Sequence, residues 1–192
     1  MISGLRWKPQ AAALLGSVGL IWAVSLYGLF VDPGVVSALA LVPRSIDGLP
    51  GVLGTLLVHG SLGHLAANTP PLLVLGGMVA VRGAAYYLTA ALAITVVGGL
   101  GLWVVGRDAA HIGASGLIFG LFGFLVARGY YERRWSSIAA ALVVVVLYGG
   151  MIAGVVPRGG QISWEAHFCG LLAGILCAWS LRRRTGDAGV SR

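Results

Sequence analysis

The sequence predicts an all-α membrane protein in which six transmembrane helices form one bundle and both termini are cytoplasmic. Of its 192 residues, 58% are hydrophobic and only 10% are charged, and the mean hydropathy is +0.91. A soluble domain carries about a quarter charged residues, so a chain this apolar needs lipid around much of its surface. Its apolar runs reach about 20 residues, which is enough for a helix to cross ~30 Å of hydrocarbon.

Six spans can be placed along a single membrane domain that covers residues 1–192. They are expected at roughly 11–31, 62–81, 84–106, 113–128, 136–156 and 165–181. The first apolar stretch is longer than that of a usual signal peptide, so it is expected to be a retained helix. The segment 32–61 contains three prolines yet stays mostly apolar, so it is expected to form an interfacial loop buried against protein. A basic tail follows at 182–192.

The basic residues set the expected orientation, because cytoplasmic loops carry an excess of Lys and Arg. The six spans divide the 13 basic residues into ten on one side and three on the other. The larger group is Arg6, Lys8, Arg82, Arg128, Arg133, Arg134, Arg182, Arg183, Arg184 and Arg192, and the smaller is Arg44, Arg107 and Arg158. The larger group is expected to be cytoplasmic. Topology therefore accounts for the net charge of +7, and no nucleic-acid partner is expected.

The acidic residues and cysteines argue against transport and metal binding. All six acidic residues lie in loops or at span ends: Asp32, Asp47, Asp108, Glu132, Glu165 and Asp187. Ion-coupled transporters usually have an intramembrane carboxylate and repeated groups of helices, and neither is evident here. Two cysteines are too few for a disulfide framework or a zinc site. A transporter or metal site built from the four histidines is therefore the third hypothesis, and no metal or cofactor is expected.

Two polar residues at the starts of apolar spans are candidates for nucleophilic chemistry. Ser115 opens the fourth span in HIGASGLIFG, where the helix dipole and unpaired N–H groups favour developing negative charge. Taken alone, this serine fits a small packing residue better. His167 opens the sixth span in EAHFCGLLAG, and an imidazole without a partner is costly to bury in hydrocarbon.

A second polar pair lies at the start of the second span. His64 and Asn68 are four residues apart, so they share one face of the helix. Alternatively, such a pair only joins helices, which is worth about 1 kcal/mol. Spans two, four and six all run inwards, so His64, Asn68, Ser115 and His167 are expected at a similar depth near the outer surface. Agreement between three separate helices favours a shared functional site.

Small residues on two of these spans permit the contact that such a site requires. The fourth span has glycines at three- and four-residue steps, and the sixth has a ridge of small residues at four-residue steps. These sets are Gly113, Gly116, Gly120 and Gly123, and Ala166, Gly170, Gly174 and Ala178. Small faces allow close approach of helices in membranes. We therefore expect His167 within hydrogen-bonding distance of Ser115, as a base must be from its nucleophile.

These motifs resemble those of the rhomboid family of intramembrane serine proteases. The resemblance rests on GASG around Ser115, on AHxxGxxxG around His167, and on HxxxN formed by His64 and Asn68. His59 also keeps the spacing that is usual in the family. The three motifs fall on spans two, four and six, in the expected order.

The resemblance covers the chain from about 59 to 181 and implies a rhomboid-like six-helix bundle with a catalytic dyad. Ser115 would attack a peptide carbonyl after His167 takes its proton. The oxyanion hole would consist of the His64 and Asn68 side chains and the backbone N–H of Ser115. Family substrates are transmembrane segments of other proteins, so the expected setting is a lipid bilayer. The expected location is the cell membrane, here the cytoplasmic membrane of a bacterium.

Four further residues are expected to support the site. Phe119 stands where several relatives have a tyrosine that stacks on the catalytic histidine, and phenylalanine can still stack but cannot form a hydrogen bond. Gly113, Gly116 and His59 lie beside the principal residues. Glu165 precedes the histidine by two residues and projects from another side of the helix, which favours a dyad over a triad.

A proteolytically inactive relative that binds membrane proteins is the second hypothesis. The presence of both Ser115 and His167 favours the protease over the binder. Pocket shape determines the substrate and the cleavage position, so the sequence predicts neither of them, nor an oligomeric state.

Overall fold

The computed structural model describes residues 8–157 and 162–186, and most of these residues are helical. Eight α-helices follow one another there: α1 (Lys8–Phe30), α2 (Gly34–Leu39), α3 (Gly51–Gly54), α4 (Leu62–Ala80), α5 (Ala84–Val105), α6 (Ser115–Glu132), α7 (Trp135–Tyr148) and α8 (Trp164–Gly186). Two 3-10 segments, Thr55–Leu57 and Gly149–Val155, continue α3 and α7. The predicted all-α class is therefore confirmed for this part of the chain.

Some of the predicted features lie outside the described residues. They are the predicted topology residues Arg6, Arg158 and Arg192, together with the end of the predicted basic tail at 187–192. The segment 32–61, predicted to be an interfacial loop, contains the short helices α2 and α3.

Four segments of the described residues are long and apolar enough to cross a membrane. They are Pro9–Phe30, Ala84–Val105, Trp135–Val155 and Trp164–Arg182. Helices α4 and α6, of 19 and 18 residues, are not among these four: α4 contains His64, Asn68 and two prolines, and α6 ends with Arg128 and Glu132. The chain is a multi-pass membrane protein, while the count of six spans and the cytoplasmic termini stay predictions.

Helices α6 and α8 pack against each other along their small residues. A Cβ atom added to Gly170 would collide with the carbonyl oxygen of Gly116, and one added to Gly174 would collide with that of Gly120. Both contacts recur at four-residue steps in the same order along the two helices. The helices therefore run in the same direction with their backbones in direct contact, as the two small faces predict.

Helix α1 lies against α4 in the opposite direction. A Cβ atom added to Gly76, late in α4, would lie 2.8 Å from the side chain of Leu14, early in α1. Ser25, late in α1, is hydrogen-bonded to His59, which precedes α4. This arrangement brings the end of α1 to the same end of the bundle as the start of α4.

The opposite end of α4 meets the end of α6 through a cluster of charged residues. Arg82 donates to the carboxylate of Glu132 at 2.6 Å, and Ser137 donates to it at 2.5 Å. Arg128 lies 3.4 Å from the same carboxylate and is mostly buried. Because their ends meet here, α4 and α6 run in the same direction.

Candidate active site

The chain enters α6 through a segment that is hydrogen-bonded to the loop between α1 and α4. The backbones of Leu41 and His111 exchange two hydrogen bonds, of 3.0 and 2.8 Å. The N–H of Gly113 donates to the carbonyl of Thr55 at 2.8 Å, and the Thr55 hydroxyl donates to the carbonyl of His111 at 2.7 Å. The path of the backbone just before α6 is therefore set by the loop that precedes α4.

His59 completes this support from inside the protein. Its Nδ1 lies 2.9 Å from the Ser25 hydroxyl, which donates its own hydrogen to the carbonyl of Leu57 at 2.8 Å. Nδ1 must therefore carry a hydrogen, and Nε2 accepts from the N–H of Ala114 at 3.3 Å. Burial, with a smaller contribution from nearby His64, lowers the pKa of His59 to about 4. A neutral His59 thus holds the residue that precedes the candidate nucleophile.

Glycine is required at position 113. The residue has φ of +112°, a conformation that is strained for any residue with a Cβ. A Cβ there would also lie 2.7 Å from Cε1 of His64. The glycine thus lets the His64 ring lie directly against the segment that leads into α6. At Gly116 a Cβ would lie 3.4 Å from the carbonyl of Ala166 on α8, which is an ordinary contact, so this space does not itself require glycine.

Ser115 and His167 are hydrogen-bonded to each other. The Nε2 of His167 lies 3.0 Å from the Oγ of Ser115, and its Nδ1 lies 3.0 Å from the carbonyl oxygen of Gly154. A carbonyl can only accept, so Nδ1 carries the hydrogen and Nε2 has a lone pair directed at the serine hydroxyl. This is the protonation arrangement that an activated serine and its general base need.

Phe119 and Gly154 hold the histidine ring from two sides. The Phe119 ring stacks on His167 with a centroid separation of 4.0 Å and an interplanar angle of 6°. A Cβ on Gly154 would lie 2.8 Å from the Phe119 ring and 3.1 Å from the His167 Nδ1. The sequence offers no signal for Gly154, because its contribution is a backbone carbonyl that any residue possesses.

The backbone at Ser115 provides a further donor. Ser115 is the first residue of α6, and Ala114 before it has no side chain that could cap the helix. The first N–H groups of a helix have no carbonyl one turn earlier to accept their hydrogens. The N–H of Ser115 is therefore suited to stabilise negative charge that forms beside its own Oγ.

His64 and Asn68 lie one turn apart at the start of α4, and His64 lies against Gly113, two residues before the serine. The Asn68 side chain is mostly buried, and its amide donates to the carbonyl of His64 at 3.0 Å, leaving the second amide hydrogen for another acceptor. The His64 ring meets His59 edge-on at 4.9 Å. Among the described residues, neither His64 nor Asn68 bonds to the hydroxyl of Ser115. The donors of an oxyanion hole bind the substrate oxygen only when negative charge forms on it. Their lack of a bond to Ser115 in the resting protein is therefore compatible with the predicted role.

A small cleft of about 30 Å³ lies between the loop before α4 and helices α5, α6 and α8. Its walls include Thr55 and His111 as well as Gly116, and most of the lining is apolar. The cleft therefore provides open space beside the start of α6. Within residues 8–157 and 162–186, no three side chains of His, Cys, Asp or Glu are grouped as ligands for a metal ion.

Comparisons with known proteins identify the family of this chain. The family profile described as the Rhomboid domain matches residues 49–184. Relatives from Mycobacterium tuberculosis and Mycobacterium bovis, both described as uncharacterized proteins, are 37% identical over 185 residues, which is 92% of this chain and 77% of theirs. An uncharacterized protein from Mycobacterium leprae is 32% identical over 186 residues, covering 92% of this chain and 73% of its own. With its motifs in the predicted order and most of its length matched by the family profile, this chain belongs to the rhomboid family.

Proposed function

We propose that this protein is an intramembrane serine endopeptidase that cleaves transmembrane segments of other membrane proteins. One observation carries the proposal: the Nε2 of His167, whose lone pair faces the hydroxyl, lies 3.0 Å from the Oγ of Ser115 at the start of α6. Membership of the rhomboid family agrees with it, because that resemblance implies this chemistry for these two residues.

In the proposed first step, His167 takes the proton of the Ser115 hydroxyl while Oγ attacks the carbonyl carbon of the scissile bond. The electron pair of that carbonyl moves to its oxygen, and the carbonyl of Gly154 stabilises the imidazolium through the Nδ1–H. The tetrahedral intermediate then collapses, the C–N bond breaks, and His167 gives its proton to the leaving amine. The products of this step are the amine fragment and an acyl-enzyme ester on Ser115.

In the second step, water replaces the amine. His167 takes a proton from a water molecule, whose oxygen attacks the ester carbonyl, and returns that proton to Ser115 as the acid product leaves. In both steps, the N–H of Ser115 and the side chains of His64 and Asn68 would donate to the oxyanion. The small cleft lined by Gly116 and Ala166, which adjoin the dyad residues in the chain, supports this step because it is large enough to hold water.

The surroundings of the dyad favour a substrate that is itself in the membrane. Ser115 and His167 lie at the starts of two helices of an apolar bundle, and α7, whose 3-10 extension contacts His167, is largely exposed and apolar. An extended peptide is needed at a serine nucleophile, so a transmembrane helix would have to unwind locally to be cut. The expected partners are therefore transmembrane proteins in the cell membrane, here the cytoplasmic membrane of a bacterium.

The direct test compares wild type with Ser115→Ala in proteoliposomes that contain a generic transmembrane substrate. We expect the variant to lose cleavage by a factor of about 10⁴–10⁶, because nothing replaces the nucleophile. A fluorophosphonate probe should label wild type at Ser115 and leave the variant unlabelled. Ser37→Ala, at an exposed position of α2, is the matched control and should behave as wild type. Cleavage by Ser115→Ala at the wild-type rate would end the proposal, whereas substrate binding without cleavage or labelling in wild type would favour an inactive binder.

A second prediction concerns the oxyanion hole. Asn68→Ala is expected to lower kcat by about 10²–10³, since loss of one oxyanion donor typically has that effect. KM should change little, because the amide would donate chiefly to the transition state. Initial rates across substrate concentrations separate the two constants. An unchanged kcat in a folded Asn68→Ala protein would remove Asn68 from the oxyanion hole and leave the dyad in place.

A further inference from the structure

A second pair of hydrogen-bonded side chains repeats the spacing of the dyad. His111 precedes Ser115 by four residues, and Ser163 precedes His167 by four. The Nδ1 of His111 lies 2.6 Å from the Oγ of Ser163. The segment that enters α6 and the residue that precedes α8 are therefore joined four residues before each member of the dyad.

The direction of each hydrogen bond in this pair follows from its partners. The Nε2 of His111 lies 3.2 Å from the carbonyl of Arg107, which can only accept, so Nε2 carries a hydrogen. Burial lowers the pKa of His111, so the ring is neutral at pH 7 and Nδ1 accepts from the Ser163 hydroxyl. The same hydroxyl oxygen accepts from the N–H of Ala166 at 3.2 Å, which is the bond of an N-terminal helix cap.

His111 is itself firmly held. Its side chain is buried, and its backbone pairs with Leu41 in both directions, as described above. The hydroxyl of Thr55 also donates to its carbonyl. The imidazole is therefore a fixed point of the loop framework, and Ser163 attaches the start of α8 to it.

Arg107 makes a second connection between the same two segments. Its Nη2 donates to the carbonyl of Ile162 at 2.9 Å, and its Nε lies 3.6 Å from the carboxylate of Glu165. Glu165 is almost fully buried, and a buried carboxylate is costly without a partner of opposite charge, so the nearby guanidinium of Arg107 stabilises it. The carboxylate that was predicted not to join the dyad thus belongs to the contact between the two segments.

The contact between α6 and α8 explains why such an attachment is needed. The two helices touch through Gly116, Gly120, Gly170 and Gly174, whose bare surfaces permit close approach. Faces without side chains interlock poorly, so they resist small sliding movements less than interdigitated side chains do. A shift of about 1 Å between nucleophile and base is enough to reduce turnover about 10²-fold.

We propose that His111 and Ser163 are positioning residues, whose hydrogen bond sets the start of α8 against the segment entering α6 and so keeps His167 in contact with Ser115. The proposal rests on the proposed function only for its effect on turnover. The attachment itself is a property of the fold.

The first test is a double-mutant cycle with Ser163→Ala, His111→Ala and the double variant, all assayed for cleavage in proteoliposomes. Each single change is expected to lower kcat by about 10–100-fold with little change in KM. The kcat of the double variant should equal that of the less active single variant, because the same hydrogen bond is lost in all three. Effects that multiply in the double variant would overturn the proposal.

Two substitutions at Ser163 separate positioning from helix capping. Ser163→Thr keeps the hydroxyl and should retain most activity. Ser163→Gly leaves a residue that is well tolerated at the N-cap but has no hydroxyl to donate to His111, so it should remain impaired although the helix start is little affected. Wild-type turnover in Ser163→Gly would show that the hydroxyl does not position His167 and would overturn the proposal. These variants leave the buried ring of His111 in place, so they decide the question even if His111→Ala fails to accumulate.

Hydrogen exchange tests the attachment without any activity. His111→Ala should speed amide exchange in the first turn of α8, although His111 is not in that helix and the cap remains. Unchanged exchange in that turn would overturn the proposal even in an active protease. If His111→Ala exchanges faster in that turn but wild type neither cleaves substrate nor reacts with the probe, the attachment is supported. The proposed protease activity is then overturned instead.

Discussion

Replacement of His167 by alanine is expected to lower kcat for cleavage by a factor of about 10⁴–10⁶. The imidazole is the group placed to take the proton of Ser115, whose Oγ lies 3.0 Å from the His167 Nε2, and the substitution removes it. Labelling of Ser115 by a fluorophosphonate should fall in parallel, because the probe reports on the reactivity of the hydroxyl. Initial cleavage rates and labelling rates in proteoliposomes measure the two effects.

The adjacent residue provides the control for this change. Phe168 is 41% exposed on the outer side of α8, so Phe168→Ala removes a large side chain from the same turn without entering the site. It should keep wild-type turnover within about 3-fold, which corresponds to less than about 1 kcal/mol in the barrier. A folded His167→Ala protein that retains a tenth of wild-type activity would show that another group acts as the base.

The sequence predicts the central contact of the site because its causes are local and periodic. Small residues at three- and four-residue steps on two apolar segments indicate close helix approach, and the positions of Ser115 and His167 on those faces bring them together. The structure has both the backbone contact at Gly116 and Gly170 and the hydrogen bond of the pair.

Other contributions leave no pattern in the sequence. The carbonyl of Gly154 orients the His167 ring, yet every residue has a carbonyl, and only the path of the chain after α7 brings this one to the ring. The pairing of His111 with Ser163 joins residues 52 positions apart, so no periodicity within either segment indicates it. Contacts of this kind depend on loop conformation, which composition and spacing do not determine.

The membrane spans show a related limit. Four segments qualify as spans by length and apolar composition, and neither α4 nor α6 is among them. Helix α4 contains His64, Asn68 and two prolines, and α6 ends with the charged residues Arg128 and Glu132, so polar residues lower the hydropathy of both. The charge distribution between loops argues for all six spans together, because an even number puts the ten basic residues of one group on a single side.

Gly170→Ala is expected to separate α6 from α8 and to remove activity without touching either member of the dyad. The new methyl group would collide with the backbone carbonyl of Gly116, which is rigid because it lies within a helix. Overpacking of this kind typically costs about 1–3 kcal/mol of stability. The helices can relieve the collision only by moving apart, and a displacement of about 1 Å at the dyad should lower kcat about 10²-fold. Thermal unfolding in detergent and cleavage rates in proteoliposomes measure the two effects.

Gly19→Ala is the matched control, because a Cβ at Gly19 on α1 has no neighbouring atom within 4 Å. Alanine is the better helix former by up to about 1 kcal/mol, so this variant should be unchanged or slightly more stable and fully active. The same chemical change is thus expected to have opposite signs at two positions, because only one of them faces another backbone. Wild-type stability and turnover in Gly170→Ala would mean that the approach of α6 and α8 is looser than the contacts of Gly116 and Gly170 indicate. The Ser115–His167 pair would then need a different source of alignment, and the attachment through His111 and Ser163 is the one that the fold provides.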